Sequence, residues 1–232
     1  MALNFRKGQT EVIDIRTFRV GLGWEPNEAL SEHEFDLDVS AFMLGNNKKI
    51  INDDYLVFFG SEKRVRPDNF RVFELPDAVK YPPYTDEDGK YHDTKQHWRE
   101  KTRPTDPEFS VIGSIDDMDG KTSDGGDDET LDIDLSKVRA DVVEIIIVVS
   151  IHEYDVRRQN FGQIDDAYIR IYKPATPNND EYKFALNEDY SNCASVEFCR
   201  IYREFGGWKL QALGFGHPIG LEELAYKLYV NK

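Results

Sequence analysis

A short acidic segment carries the clearest chemistry in the sequence. Between 116 and 134 the chain holds nine acidic residues and one lysine, a net charge of −8 in a protein whose formal net charge is −15. The acidic residues are Asp116, Asp117, Asp119, Asp124, Asp127, Asp128, Glu129, Asp132 and Asp134. Crowding of like charges opposes folding unless a cation neutralises it. The segment is therefore a candidate cation site.

The residue types in this segment favour Ca²⁺ over other cations. Glycines there allow backbone carbonyls to turn toward a common centre. They are Gly113, Gly120, Gly125 and Gly126. Oxygen ligands on flexible backbone suit Ca²⁺, which takes about six to eight of them, whereas Mg²⁺ retains waters and needs a stricter octahedron. The alternative is a solvated acidic loop that binds no ion specifically.

The segment does not match the EF-hand pattern. Residues 117–120 (DMDG) resemble the start of an EF-hand loop. The motif then requires glycine at its sixth position and glutamate at its twelfth, which are Thr122 and Asp128 here. No helical pattern flanks the segment either. We therefore predict a calcium site of another kind.

A second source of ligands lies on a predicted strand, residues 34–42. Apolar and polar residues alternate there, which places Asp36 and Asp38 on one face and Leu37 and Val39 on the other. Carboxylates two residues apart on a strand are roughly 6.6 Å apart, so both could reach one ion or two neighbouring ions. The alternative for this pair alone is an ordinary solvated strand face.

The elements that must position these residues are mostly short strands. The predicted strands cover residues 10–20, 34–42, 55–59, 131–135, 140–151, 167–172, 182–186, 195–203 and 208–213. Near the C-terminus, apolar residues recur at helical spacing and predict one amphipathic helix over 220–228. They are Leu221, Leu224, Ala225 and Leu228. The pattern predicts a mainly β fold, a two-sheet β-sandwich with few short helices.

Residues 61–112 have a different composition from the rest of the chain. Six of the ten prolines fall there, mixed with charges of both signs. This is typical of an irregular insertion rather than of core strands. We predict a single domain, 1–232, that carries this insertion.

Composition also excludes several functional classes. The chain has 44 acidic against 29 basic residues and a pI near 4.8, which disfavours binding to nucleic acid and to anionic membrane surfaces. No apolar run approaches the ~20 residues of a membrane helix, and no signal peptide is evident. Two cysteines, Cys193 and Cys199, are too few for a disulfide framework. We expect a cytoplasmic protein without direct membrane insertion.

Enzyme signatures are weak. No nucleophile elbow, phosphate loop or dinucleotide fingerprint occurs. His152, next to Glu153, could act as a base but is better explained as a polar residue at a strand end, and a zinc role for His92 and His97 has little support. We predict a non-enzymatic protein. Two alternatives stay open: a metal-dependent hydrolase that uses the same carboxylates, and a metal-free interaction module built on the 61–112 insertion.

Several segments, taken in order, resemble the tellurium-resistance TerD family of bacterial stress proteins. They are residues 20–24 (VGLGW), 35–38 (FDLD), 40–42 (SAF), 126–129 (GDDE), 134–138 (DLSKV), 151–152 (IH), 158–163 (RQNFGQ), 207–209 (GWK) and 220–221 (GL). Each is weak alone, but the ordered set is specific and covers most of 1–60 and 113–232. The family has a short loop where this chain has 61–112, so the chain resembles a divergent member.

The resemblance implies a β-sandwich that binds one or two Ca²⁺ ions through an acidic loop and takes part in tellurite resistance, stress and phage tolerance. It implies an adaptor role in a stress or defence complex, with other stress and tellurium-resistance proteins as partners. The ligands that it carries over directly are Asp36, Asp38, Asp127, Asp128 and Glu129. The upstream Gly-Asp-Asn segment of the family is altered here, so Asp116, Asp117 and Asp119 are assigned by charge and position. Asp124 falls near an acidic residue of the family.

Overall fold

The chain forms two six-stranded β-sheets that share one core. The computed structural model describes residues 3–26, 35–66, 72–73, 80–87, 89–115, 126–185 and 190–230. The strands are β1 (Leu3–Asn4), β2 (Thr10–Val12), β3 (Thr17–Pro26), β4 (Leu37–Leu44), β5 (Leu56–Val57), β6 (Arg64–Val65), β7 (Val72–Phe73), β8 (Tyr84–Thr85), β9 (Tyr91–His92), β10 (Arg103–Pro104), β11 (Val111–Gly113), β12 (Glu129–Asp134), β13 (Glu144–Ile151), β14 (Ile164–Tyr172), β15 (Asp180–Ala185), β16 (Ser195–Glu204) and β17 (Gly207–His217). The helices are α1 (Thr94–Glu100), α2 (Tyr154–Arg157) and α3 (Leu221–Leu224), with 3₁₀ turns at Asp53–Tyr55 and Phe161–Gln163 and a π-helical turn at Ala225–Tyr229.

Each sheet combines strands from distant parts of the sequence. The first sheet runs β1-β15-β14-β3-β12-β11 and the second runs β2-β17-β16-β13-β4-β5. Side chains alternate across each strand, so the inward residues of both sheets meet in one buried cluster. Val20 and Ile169 of the first sheet belong to that cluster together with Val39, Ile147 and Ile201 of the second. The predicted two-sheet sandwich is confirmed.

The outer face of the second sheet is covered as well. Phe42 and Leu44 of β4 pack there against Leu224, Ala225 and Tyr229. All eight residues of β4 are consequently buried. Both faces of β4 are thus covered at Phe42 and Leu44, and Asp38 lies further along the same outer face.

The predicted C-terminal helix is present, but the prediction of which residues it buries is wrong in its last turn. After α3 the chain widens into the π-helical turn, which is closed by a hydrogen bond from the Val230 N–H to the Ala225 carbonyl at 3.0 Å. The wider turn shifts the buried positions by one residue. Tyr229 therefore enters the core, whereas Leu228, expected there, is 42% exposed.

A buried arginine anchors the 61–112 segment. The Arg64 guanidinium donates hydrogen bonds to the Phe59 carbonyl at 2.7 Å, to the Arg99 carbonyl at 2.8 Å, and to the hydroxyl and carbonyl of Thr102 at 2.7 and 2.6 Å. It also lies over the ring of Trp98, with the guanidinium carbon 5.7 Å from the ring centroid. The segment thus has a polar centre that ties α1 to the turn after β5. Its last residues form β11 of the first sheet.

We expect Arg64→Met to lower the free energy of unfolding by about 3 kcal/mol, because several buried acceptors would lose a charged donor at once. Urea unfolding measures this change. Lys101→Met is the control, since Lys101 is exposed and should change stability by less than about 0.5 kcal/mol. Equal effects of the two substitutions would contradict the anchoring role.

Candidate metal centre

The end of the acidic segment meets the strand of Asp36 and Asp38. Leu131 and Ile133 of β12 point into the core, so Glu129, at the same two-residue period, points inward as well. Its carboxylate Oε2 accepts a hydrogen bond from the Val39 backbone N–H at 2.7 Å. β12 belongs to the first sheet and β4 to the second, so this bond joins the two sheets beside the candidate ligands.

Asp36 and Asp38 are buried, contrary to the alternative of a solvated strand face. They are 5% and 3% exposed. Asp38 Oδ2 lies 4.0 Å from His152 Nδ1, and Asp36 Oδ2 lies 3.8 Å from an Arg157 guanidinium nitrogen. Burial lowers the pKa of His152, so at neutral pH this imidazole brings little positive charge to Asp38. Buried carboxylates require compensation by hydrogen bonds or by a cation.

Asp128 lies at the end of β3, close to Glu129. Its backbone N–H donates to the Leu22 carbonyl at 2.8 Å, and its carboxylate Oδ2 accepts from the Trp24 N–H at 3.1 Å. The residue is half-buried. Backbone groups thus hold the carboxylates of Asp128 and Glu129 in place.

Asp127 faces a different direction from the other candidate ligands. It is fully buried on the outer face of the first sheet, where the Arg170 guanidinium binds it through two bonds of 2.6 and 2.9 Å. The Tyr172 hydroxyl donates to its Oδ2 at 2.8 Å. The Tyr168 hydroxyl, which donates to the Gly126 carbonyl at 3.0 Å, lies 3.3 Å from its Oδ1. A side chain at Gly21 would collide with this carboxylate, since an added Cβ would lie 2.2 Å from Oδ2. Two nitrogens of Arg170 and the Tyr172 hydroxyl therefore occupy both oxygens of Asp127.

The tyrosine protons in this cluster are firmly held. Burial, reinforced by the Asp127 charge, raises the pKa of Tyr168 to about 12. The same two causes raise the pKa of Tyr172. Both phenols stay protonated at neutral pH: Tyr172 donates to the carboxylate, and Tyr168 donates to the Gly126 carbonyl beside it. We call Asp127, Tyr168, Arg170 and Tyr172 the Asp127 clamp.

Protein cations also neutralise the last acids of the segment. Asp132 receives bonds from Arg19 at 2.8 and 3.0 Å and from Arg103 at 2.7 Å. Burial alone would raise the pKa of Asp132, but these hydrogen bonds hold it below its usual value. Asp134 binds the Ser136 backbone and hydroxyl. Arginines of the protein thus neutralise part of the negative charge for which the sequence predicted a bound cation.

The described carboxylates do not complete a calcium site by themselves. Within the ranges that the structure describes, no three His, Cys, Asp or Glu side chains come together closely enough to hold an ion. Asp116, Asp117, Asp119 and Asp124 lie outside the described residues. Glu129 reaches β4 through the Val39 N–H, Asp128 lies beside β3, and Asp36 and Asp38 lie at the start of β4. These carboxylates offer the hard oxygens that Ca²⁺ prefers, whereas Asp127 is bound by Arg170 and Tyr172.

Sequence reasoning missed a second cluster, in the 61–112 segment. The ring of His92 is buried between two carboxylates, with Nδ1 2.6 Å from Glu100 Oε1 and Nε2 2.8 Å from Asp86 Oδ2. The hydrogen bond with Asp86, followed by that with Glu100, raises the pKa of His92. His97 Nδ1 lies 2.7 Å from the Pro82 carbonyl oxygen. These contacts connect α1 to the β8–β9 hairpin and leave both ring nitrogens of His92 in use.

Fold and site together define a class of protein: an acidic β-sandwich whose two sheets are joined by carboxylates at one edge. The TerD domain model matches residues 1–68 and 101–228, and the chain belongs to the TerD family, as the ordered motifs predicted. The stretch left unmatched between these two ranges, residues 69–100, falls inside the 61–112 segment. In the part of the chain that the structure describes, no helix is long and apolar enough to cross a membrane.

Relatives and solved structures agree with this assignment. The chain is 31% identical to the uncharacterized protein YceE of Bacillus subtilis (strain 168), over 97% of this chain and 96% of that protein. It is 30% identical to the tellurium resistance protein TerD of Alcaligenes sp., over 91% and 86%. A crystal structure of a homologue of telluride resistance protein (TerD) from Streptomyces coelicolor A3(2) shares the fold, with a TM-score of 0.58 at 13% identity over 91% of this chain and 95% of that one.

We expect Asp127→Asn to lower the free energy of unfolding by about 3 kcal/mol, because it leaves the buried side of Arg170 without its carboxylate. Urea unfolding in a chelator measures this change without a contribution from metal. The control is Asp141→Asn, which breaks an exposed pair with Arg139 and should cost less than about 1 kcal/mol. If Asp127→Asn is as mild as the control, the clamp does not stabilise the fold.

Proposed function

We propose that this protein is a cytoplasmic, non-enzymatic Ca²⁺-binding member of its family that acts as an adaptor in a stress or defence complex. Its partners in that complex would be other stress and tellurium-resistance proteins. Ca²⁺ would draw the acidic segment toward β4 and so fix one edge of the sandwich. One or two ions would bind there.

The observation that carries this proposal is the hydrogen bond between Glu129 and the Val39 N–H. It places the end of the acidic segment beside the strand that holds Asp36 and Asp38, although some 90 residues separate Val39 from Glu129. The burial of both aspartates adds support, because buried carboxylates favour a bound cation. Negative charge at Glu129 and at two buried aspartates of the neighbouring strand favours a bound cation.

The proposed ligands divide into two groups. Asp36, Asp38, Asp128 and Glu129 would provide carboxylate oxygens from the ends of three strands. The acids of the preceding loop would complete the shell; they are Asp116, Asp117, Asp119 and Asp124. Asp127 was carried over as a ligand by the resemblance, but its three donors from Arg170 and Tyr172 suit it better to holding the loop end in place.

We expect the melting temperature to rise with Ca²⁺ and to return after a chelator is added. A ligand that binds only the folded state stabilises it by about 2.7 kcal/mol at a hundredfold excess over its Kd. Thermal melts and isothermal titration calorimetry measure the response, with Mg²⁺ as the comparison ion. Absence of a Ca²⁺ response in the unaltered protein would refute the proposal.

Ligand variants locate the site. Asp38→Asn and Glu129→Gln should remove most of the Ca²⁺-dependent rise in melting temperature. Asp134→Asn is the matched control: it removes one charge from the same segment, but its carboxylate binds Ser136 and should leave the Ca²⁺ response unchanged. An equal loss in all three variants would point to general charge screening instead of a site. Turnover of phosphoester substrates with Mn²⁺ or Mg²⁺ that disappears in Asp38→Asn would favour the hydrolase alternative.

A further inference from the structure

A groove of about 960 Å³ opens on the outer face of the second sheet. Its floor includes Asp38 of β4 and Ser150 of β13, which are direct cross-strand partners. Phe58 and Phe59 of the turn after β5 and Tyr226 of the π-helical turn also line it. The volume is at the upper end of the range for ligand sites, so the groove suits a chain segment better than a single ion.

The groove is strongly negative. Of the described residues that line it, six are carboxylates and none is lysine or arginine. The carboxylates are Asp38, Asp53, Glu153, Asp155, Glu222 and Glu223. Glu223 is paired with Lys227, and Glu153 lies 3.5 Å from Arg157. Within the described part of the chain no salt bridge forms at Asp53, Asp155 or Glu222, so the groove retains an excess of negative charge.

An unused hydroxyl lies at the floor. Ser150 is 2% exposed, and its side chain faces the groove because its neighbours Val149 and Ile151 point into the core. No described residue makes a hydrogen bond to its Oγ. A donor from a molecule in the groove would satisfy this hydroxyl and would reach the Asp38 carboxylate beside it.

Aromatic side chains add a preference for cations. The ring of Phe59 packs edge-on against His152, with centroids 5.1 Å apart, and against Phe58 at 5.4 Å. Tyr226, which also lines the groove, is 62% exposed. Aromatic faces close to carboxylates favour ammonium and guanidinium groups.

We propose that this groove binds an extended, lysine- or arginine-containing segment of a partner protein. A basic side chain would reach Ser150 and Asp38 at the floor, while the rim carboxylates would bind further basic residues of the same segment. The proposal rests on the adaptor role proposed above and gives it a surface and a partner chemistry. It does not require Ca²⁺, because Ser150, Tyr226 and the two glutamates of α3 are not among the proposed calcium ligands.

The test uses the full chain and a fluorescein-labelled octapeptide of alternating lysine and glycine, with a glutamate–glycine peptide as the negative probe. Fluorescence anisotropy at about 0.15 M salt measures binding. The double variant Glu222→Lys/Glu223→Lys should weaken binding of the lysine peptide about tenfold. Ser150→Ala and Tyr226→Ala, which leave net charge unchanged, should each weaken it about threefold.

A matched control separates the groove from the general negative field of the protein. Asp14→Lys/Glu181→Lys makes the same change in net charge at exposed and half-exposed positions outside the groove and should weaken binding less than about twofold. Equal loss in the two double variants, or no effect of both neutral substitutions, would overturn the proposal. Displacement of the peptide by spermine at equal affinity would assign the groove to a polyamine. A dimer that Glu222→Lys/Glu223→Lys abolishes would assign the groove to a second copy of the chain. Either result would also overturn the proposal.

The same proteins distinguish this failure from failure of the calcium proposal. Peptide binding is measured in Ca²⁺ and in chelator, alongside the Ca²⁺ response in thermal melts. Peptide binding without a Ca²⁺ response would keep the groove and reject the calcium site. A Ca²⁺ response with no peptide binding would reject the groove alone.

Discussion

The rest of the structure depends on how the fold accommodates carboxylates that it buries. Asp127 is enclosed by one arginine and two tyrosines, and Asp132 by two arginines. Glu129 uses a backbone N–H of the opposite sheet. Each solution fixes a part of the β3–β12 edge, because a buried charge cannot move away from its partners without a large desolvation cost.

These contacts give the acidic segment a fixed end. The Asp127 clamp holds the chain on the outer face of the first sheet, and two residues later Glu129 enters the gap between the sheets. The direction of the chain across 127–129 is therefore determined on both sides of Asp128.

The alternating pattern was sufficient to predict the sheets, and it correctly placed Asp36 and Asp38 on one face of β4. It could not show that this face is covered, since Tyr229 and Leu224 reach it from nearly two hundred residues away. Nor could it predict the partner of Asp127. Arg170 lies 43 residues later, on a strand whose outward-facing residues show no pattern that points to Asp127. The π-helical turn was not predicted, for a local reason: the prediction from apolar spacing assumes an α-helix with about 3.6 residues per turn. Periodicity thus predicts which way a side chain points, and only tertiary packing decides what it meets.

Asp38 has a place in both proposed sites, and this has a thermodynamic consequence. It is a candidate ligand of the ion and also part of the floor of the groove. A cation bound at Asp38 would reduce the negative potential that a basic peptide meets there, so the two ligands should oppose each other. Linkage requires the opposition to be mutual: whatever factor Ca²⁺ imposes on peptide affinity, the peptide must impose on Ca²⁺ affinity. A shared carboxylate between two strands would therefore let the ion regulate the partner without any large change in the sandwich, because the coupling acts through charge at a fixed position.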